Sequence, residues 1–192
     1  MNQNNFAVAD GAPYPPVPTC TPNARDAQRI RNALGCAKSE LSAITTYEYQ
    51  HWTLAAHYPE LAETLSRIAA VEMHHLDLLG RLVVNLGGEP RFCCDMQGRR
   101  TYWSGGAVNY TVDVRAALRN NIADEKAAVD FYQQTAAEMG NPEIAALLNR
   151  LILDEALHIR IFTRCLQQMQ SPQPPAGRSQ QAGNSHGAAR RE

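Results

Sequence analysis

One arrangement of residues occurs twice along this chain, and it restricts the possible folds more than any other feature. Each copy has a glutamate, a tyrosine seven residues later, and a Glu-x-x-His about 30 residues after the first glutamate. The copies are Glu40, Tyr47, Glu72 and His75, then Glu125, Tyr132, Glu155 and His158. Two single glutamates with two Glu-x-x-His motifs are the ligand set of a two-metal site inside a four-helix bundle.

The residues around these motifs have helical periodicity. Four long stretches show it, at roughly 24–56, 59–86, 113–139 and 142–169. Proline occupies a first-turn position at Pro59 and Pro142, and glycine follows the ends of two stretches at Gly87 and Gly140. We therefore predict an all-α fold with four helices.

The links between the helices determine how they pair. His57-Tyr58 and Gly140-Asn141 are very short, so each should join an antiparallel helix hairpin. The middle link, 87–112, is long enough to run the full length of a helix. We predict two hairpins joined by a long crossover, with the crossover aromatics Phe92, Tyr102, Trp103 and Tyr110 packed on the bundle.

The candidate ligands fall on the apolar faces of the predicted helices. In the second helix, apolar residues alternate in steps of four and three, and Glu72 and His75 occupy two of these positions. The fourth helix places Glu155 and His158 in the same way. The single glutamates of the first and third helices also point inward, so four carboxylates should share one core.

Four buried carboxylates require positive charge close by, because burying even one unpaired carboxylate costs several kcal/mol. Together with two neutral histidines they carry a charge of −4, which two divalent ions cancel. Oxygen and imidazole ligands suit iron or manganese better than zinc. A third Glu-x-x-His occurs at Glu48 and His51, but Glu48 is on a different face of the helix from Glu40. Its counterpart in the second copy is Gln133, which cannot be an anionic ligand, so we do not assign this motif to the metal site.

Three further residues are candidates for supporting the ligands. Tyr47 and Tyr132 face the core, where they are either ligand-supporting groups or simple core aromatics. Asp154, immediately before Glu155, could accept the free ring N–H of His75 from the facing half. Val71 occupies the equivalent position in the first copy, which predicts unequal surroundings for the two metals.

The remaining sequence sets wider limits. With 18 basic and 19 acidic residues the net charge is close to zero, so overall charge does not attract nucleic acid or a membrane surface. No apolar run could span a bilayer, and we expect a soluble cytoplasmic protein. Five cysteines without a Cys-x-x-Cys predict reduced thiols. Residues 1–22 should form a proline-rich extended arm, 23–170 the bundle, and 171–192 a disordered tail.

Over residues 24–169 the chain resembles the ferritin-like di-metal carboxylate superfamily. Its Glu-x6-Tyr and Glu-x-x-His motifs are most similar to rubrerythrins and manganese-catalase-like proteins. The resemblance implies a ferritin-like four-helix bundle with two iron or manganese ions. It also implies a ligand set, with the second and fourth glutamates as bridges: Glu40, Glu72, His75, Glu125, Glu155 and His158.

The resemblance implies an oxidoreductase acting on hydrogen peroxide or dioxygen, in a homo-oligomer that is a dimer or larger. The chain has Ala128 where rubrerythrins carry a further carboxylate, and it lacks their Cys-x-x-Cys module, which favours catalase-like over peroxidase-like turnover. The alternatives are non-enzymatic metal binding, ferroxidase-type storage, and a metal-stabilised assembly component. Ferritin cages usually end in a short fifth helix, which the polar tail does not offer.

Overall fold

The computed structural model describes residues 6–96 and 98–170. The helices are α1 (Ala24–Gly35), α2 (Glu40–Leu54), α3 (Pro59–Asn85), α4 (Val114–Met139) and α5 (Pro142–Gln170). A hairpin of β1 (Cys93–Met96) and β2 (Arg99–Tyr102) and a 3-10 turn at Gly105–Ala107 lie in the crossover. Helix α2 packs mainly against α3, and α4 mainly against α5. The predicted all-α four-helix bundle with two antiparallel hairpins is confirmed.

The prediction of one continuous first helix over 24–56 is wrong, because the chain breaks between α1 and α2. Cys36 leaves the helix in an extended conformation, and Ser39 caps the start of α2 by accepting a hydrogen bond from the Ser42 amide. The crossover explains the break. A Cβ on Gly35 would lie only 2.3 Å from the backbone nitrogen of Cys93, so β1 packs directly on the end of α1. Helices α1 and α2 together occupy the first-helix position.

Local signals set the ends of the other helices. Pro59 and Pro142 begin α3 and α5, where a missing amide hydrogen costs nothing. The Asp113 carboxylate caps α4 by accepting from the Ala116 amide at 2.8 Å. Helix α4 ends at Gly140, whose φ of 64° is left-handed and favours glycine. These ends place the two Glu-x-x-His motifs in the middle of α3 and α5.

The crossover aromatics only partly follow the prediction that they pack on the bundle. The Trp103 indole donates a hydrogen bond to Ser42 Oγ at 3.0 Å, and Tyr110 packs edge-on against Tyr49 of α2. Tyr110 is still 54% exposed beside this ring contact. Phe92 and Tyr102 are 47% and 57% exposed and make no such ring contact among the described residues, so the prediction is wrong for them. Backbone hydrogen bonds order that part of the crossover: Tyr102 lies opposite Cys93 in the strand pair, and the Trp103 amide donates to the Phe92 carbonyl at 2.9 Å.

The apolar core is divided into two clusters, one towards each end of the bundle. One contains Ile30, Leu34, Leu82 and Leu147, and the other contains Leu65, Ile68, Leu118 and Phe162. The buried polar residues of the repeated motifs lie between them. No helix of the described residues is long and apolar enough to cross a membrane.

The described part of the proline-rich arm runs along the bundle. The Arg67 guanidinium donates to the Phe6 carbonyl at 2.7 Å, and the Asn85 amide donates to the Pro18 carbonyl at 2.8 Å. Between these points, residues 8–14 pass over α5 and the ends of the site histidines. The predicted disordered tail, 171–192, lies outside the described residues.

The cysteines contradict the prediction of reduced thiols. Cys36, at the end of α1, forms a disulfide with Cys94 of β1, while Cys20, Cys93 and Cys165 are free. The bond joins the helix break to the crossover and closes a loop with a sequence separation of 58 residues. Sequence spacing could not reveal this pair, because the two cysteines meet only when the crossover folds back onto α1.

We expect the disulfide to stabilise the fold, because closing a loop of this length restricts the unfolded chain. Cys94→Ser should lower the free energy of unfolding by about 2–4 kcal/mol. Urea unfolding measures this change, with Cys20→Ser as the control. Alkylation of the denatured chain should label three thiols without reductant and five with it. Five labelled thiols in the unreduced protein would contradict the pairing.

Candidate metal centre

All six candidate ligands lie together at the centre of the bundle and are almost completely buried. His75, His158 and Glu155 are 0% exposed, and the most exposed of the six, Glu40, is only 4% exposed. Five of the six come from α2, α3 and α5: Glu40 from α2, Glu72 and His75 from α3, and Glu155 and His158 from α5. Glu125 of α4 completes the group.

Glu72 and Glu155 each face both histidines. Glu72 places Oε2 2.9 Å from His75 Nδ1 and Oε1 2.9 Å from His158 Nδ1. Glu155 places Oε1 3.2 Å from His75 Nδ1 and Oε2 3.1 Å from His158 Nδ1. Each carboxylate therefore offers one oxygen to each side, which is the arrangement required of a bridging ligand.

The single glutamates each face one histidine. Glu40 Oε2 lies 3.8 Å from His75 Nδ1, and Glu125 Oε1 lies 3.6 Å from His158 Nδ1. The result is two groups of four ligands whose ligand atoms all lie within 4.8 Å of one another. Both groups contain Glu72 and Glu155, so two adjacent metal positions would share these two residues.

The chemistry of the cluster fits two metal ions. Glu72 Oε1 and Glu155 Oε1 are buried, and each lies against a histidine Nδ1. When the imidazoles are neutral and carry their protons on the outer Nε2, these oxygens have no hydrogen-bond donor and are free to bind a cation. Oxygen-rich sites with one imidazole each suit iron and manganese. We therefore propose Glu40, Glu72, His75, Glu125, Glu155 and His158 as the ligands.

Each single glutamate is held by the tyrosine of the other sequence copy. The Tyr47 hydroxyl of α2 donates to Glu125 Oε1 of α4 at 2.5 Å, and the Tyr132 hydroxyl of α4 donates to Glu40 Oε1 of α2. Burial, followed by the charge of the neighbouring carboxylates, raises the pKa of both phenols well above the ordinary value. Both hydroxyls therefore stay protonated and remain donors.

The outer ring nitrogens of the histidines have different acceptors. His75 Nε2 donates to Asp154 Oδ2 at 3.0 Å, whereas His158 Nε2 donates to the Val8 carbonyl of the arm at 2.9 Å. Such acceptors fix the tautomer with the proton on Nε2, which leaves Nδ1 free to bind a metal ion. The structure thus places Asp154 where the sequence analysis expected it and adds Val8, whose role is carried by the backbone.

The arm also holds Asp154 in place. The Asp10 amide donates to Asp154 Oδ1 at 2.6 Å, and the Tyr14 hydroxyl donates to Oδ2 at 2.5 Å. Arg150, one turn earlier on α5, lies 2.8 Å from the same oxygen and donates to the Ala12 and Asp10 carbonyls. The buried Arg150 therefore compensates Asp154 rather than the four glutamates.

Without metal, protons provide the missing positive charge. Burial, together with the charge of Glu72, raises the pKa of Glu40 to about 8, and the same two causes raise the pKa of Glu125 well above its ordinary value. Burial alone would lower the histidine pKa values, but the facing carboxylates raise those of His75 and His158 well above normal. Metal binding must displace these protons.

The third Glu-x-x-His does not join the cluster. His51 Nδ1 lies 2.8 Å from the Ala62 carbonyl, and Glu48 accepts a hydrogen bond from Ser66. Sequence reasoning missed Val8, Asp10, Tyr14 and Arg150. The spacing of Arg150 four residues before Asp154 was a usable signal, but a backbone carbonyl such as that of Val8 has none.

A cavity of about 410 Å³ opens from the cluster to the surface on the side away from the arm. Its floor includes all four glutamates and both tyrosines, and it does not include the histidines. Its walls come from the end of α1, the link between α1 and α2, the helices α2 and α4, and the crossover. Lys38 of the link and Asp124 of α4 form an exposed ion pair of 3.2 Å at the mouth. The site is thus covered on its histidine side and accessible on its carboxylate side.

Comparisons with known proteins agree with this geometry. The model of the family described as Rubrerythrin matches residues 34–166, which include all six candidate ligands. A bacterioferritin from Desulfovibrio desulfuricans is 30% identical over 127 residues, covering 64% of this chain and 65% of that protein. The chain therefore spans slightly less than two thirds of this relative.

Solved structures share the fold. A manganese catalase, KatB from Anabaena, superposes with a TM-score of 0.74 at 24% identity, covering 95% of this chain and 87% of that chain. The bacterioferritin of Desulfovibrio desulfuricans, whose structure shows a diiron site, superposes with a TM-score of 0.65 at 26% identity, covering 77% of this chain and 81% of the other. The predicted ferritin-like resemblance is confirmed.

Metal affinity should rise with pH, because the glutamate protons must leave before the metal binds. In the unfolded chain Glu40 loses its proton near pH 4.5, whereas in the folded, metal-free protein it keeps the proton up to about pH 8. The stability this proton provides is lost as pH rises towards 8, while metal binding becomes easier. The increase in Tm produced by Mn(II) should therefore grow between pH 6 and pH 8.

Calorimetry in buffers of different ionisation enthalpy would count the released protons directly. Glu40→Gln removes one titrating group and should reduce the count. Binding that releases no proton at pH 6.5 would contradict the assignment.

Asp154 should control metal retention through His75. Asp154→Asn keeps the size of the side chain but removes its charge, and changes to such supporting groups typically weaken metal binding about 10- to 100-fold. Asp77→Asn, on the exposed face of the same helix as His75, is the matched control. Metal transfer to a chromogenic chelator measures the dissociation rate, and equal rates for wild type and Asp154→Asn would exclude this role.

Proposed function

The chain belongs to the rubrerythrin family, and we propose that it is an oxidoreductase whose two iron or manganese ions react with hydrogen peroxide in a catalase-like cycle. A pair of such ions can give up and take back two electrons. Disproportionation needs no other electron source: one peroxide is reduced to water and a second is oxidised to dioxygen. We expect the active form to be a homo-oligomer.

The proposal rests on the chemistry of the cavity that leads to the site. Above the carboxylates the cavity walls are largely apolar, with Ala43, Ala127, Ala128 and Phe131 among them. The one acidic side chain at the mouth, Asp124, is paired with Lys38. The desolvation cost of a neutral peroxide in such a cavity is much smaller than that of a hydrated cation, which would lose its water shell without ligands to replace it. The cavity favours peroxide over iron ions.

The residues around the site have distinct tasks in this proposal. Glu72 and Glu155 keep the two metal positions adjacent, so that both can meet one peroxide. Tyr47 and Tyr132 fix the single glutamates, which limits the rearrangement of these ligands during turnover. On the histidine side, the arm with Val8 and Asp10 excludes water, so reactants reach the site through the cavity.

A second candidate is ferroxidase-type storage, which the 30% identity to a bacterioferritin favours. Molecular mass distinguishes the two. Storage requires a large hollow assembly that takes up many iron atoms per chain, whereas the proposed enzyme requires only two metal ions per chain. Light scattering after iron loading, with elemental analysis of the same sample, gives both quantities.

Metal-loaded protein should release dioxygen from hydrogen peroxide. Glu125→Gln removes one anionic ligand while keeping the shape of the side chain, and it should lower kcat about 100-fold or more. Glu48→Gln, the matched change in the Glu-x-x-His outside the cluster, should leave the rate unchanged. An oxygen electrode measures the reaction. Protein that holds two metal ions per chain and releases no dioxygen would rule the proposal out.

A further inference from the structure

The cavity above the carboxylates is far larger than hydrogen peroxide needs. Peroxide has two heavy atoms and occupies about 60 Å³, judged from the volume of two water molecules. The cavity measures about 410 Å³, which lies within the range of sites that bind small organic ligands. Besides the ligand carboxylates, the cavity is lined by residues of α1, the α1–α2 link, α2, α4 and the crossover.

The walls of this space suit an apolar group. Ala43 of α2 faces Ala127, Ala128 and Phe131 of α4, and Met96 of β1 contributes from the crossover. Small alanine side chains leave room where larger ones would fill it. Ala128 lies one turn after Glu125 on the same face of α4, directly above the floor of the cavity.

The floor has a different chemistry from the walls. It presents carboxylate oxygens and the hydroxyls of Tyr47 and Tyr132, and it is where two metal ions would lie. A molecule with a polar oxygen head and an apolar body would match both regions. The paired charges of Lys38 and Asp124 at the mouth leave no net attraction for a charged substrate.

We propose that this cavity binds organic hydroperoxides, with the hydroperoxy group at the floor and the alkyl or aryl group between α2 and α4. The inference rests on the proposed peroxide chemistry and adds its substrate class. Hydrogen peroxide is the reductant, so that ROOH + H2O2 gives ROH + H2O + O2. The O–O bond of the hydroperoxide breaks and takes up two electrons and two protons, which hydrogen peroxide supplies as it becomes dioxygen.

The first test compares substrates in the metal-loaded, full-length protein. Cumene hydroperoxide should be converted to 2-phenyl-2-propanol in the presence of hydrogen peroxide. Ala128→Leu fills the cavity and should lower kcat/KM for cumene hydroperoxide about tenfold more than kcat/KM for hydrogen peroxide. Ala43→Leu narrows the opposite wall and serves if the first variant does not fold. Ala137→Leu, on an exposed face of α4, should change neither value.

The second test measures binding without turnover. Calorimetry with 2-phenyl-2-propanol should detect binding to the metal-loaded wild type and to Ala137→Leu, with about tenfold weaker binding to Ala128→Leu. No binding in the wild type, or the same loss for both peroxides in Ala128→Leu, would overturn the inference while leaving catalase activity intact. Alcohol binding without any reaction of hydrogen peroxide would instead overturn the proposed function.

Discussion

The structure depends on placing four carboxylates in one apolar core. Ionised and unpaired, they would cost several kcal/mol each, so the fold needs positive charge at its centre from metal ions or, without them, from bound protons. Three features of the fold create and protect this arrangement of carboxylates. Apolar seams bring the glutamates together, Glu72 and Glu155 direct one oxygen to each side, and the apolar clusters at both ends keep water away.

The two sides of the site are built from different parts of the chain. On the histidine side, the arm supplies the Val8 carbonyl and the hydrogen bonds that hold Asp154, and it closes that face. On the carboxylate side, the crossover and its disulfide border an open cavity. Segments outside the four bundle helices thus determine access to the site, and differences in such segments would allow proteins with the same bundle to differ in function.

The sequence predicted the features that depend on helical periodicity. Glu72, His75, Glu155 and His158 occupy regular positions on apolar faces, so their meeting at the centre followed from spacing alone. The break before Glu40 could not be predicted, because it depends on β1 packing against Gly35. The disulfide and the Val8 carbonyl were missed for the same reason: both are contacts between segments distant in sequence, and the carbonyl is shared by every residue type.

The repeated motif does not produce two equivalent metal positions. His75 donates to a carboxylate that Arg150 compensates, whereas His158 donates to a neutral backbone carbonyl. An anionic acceptor increases the basicity of the imidazole more than a carbonyl does, so the two positions should differ in affinity for the same metal. In a cycle that exchanges two electrons, such a difference would let one position hold its ion firmly while the other adjusts. The symmetry therefore ends at the ligands, and their supporting contacts distinguish the two positions.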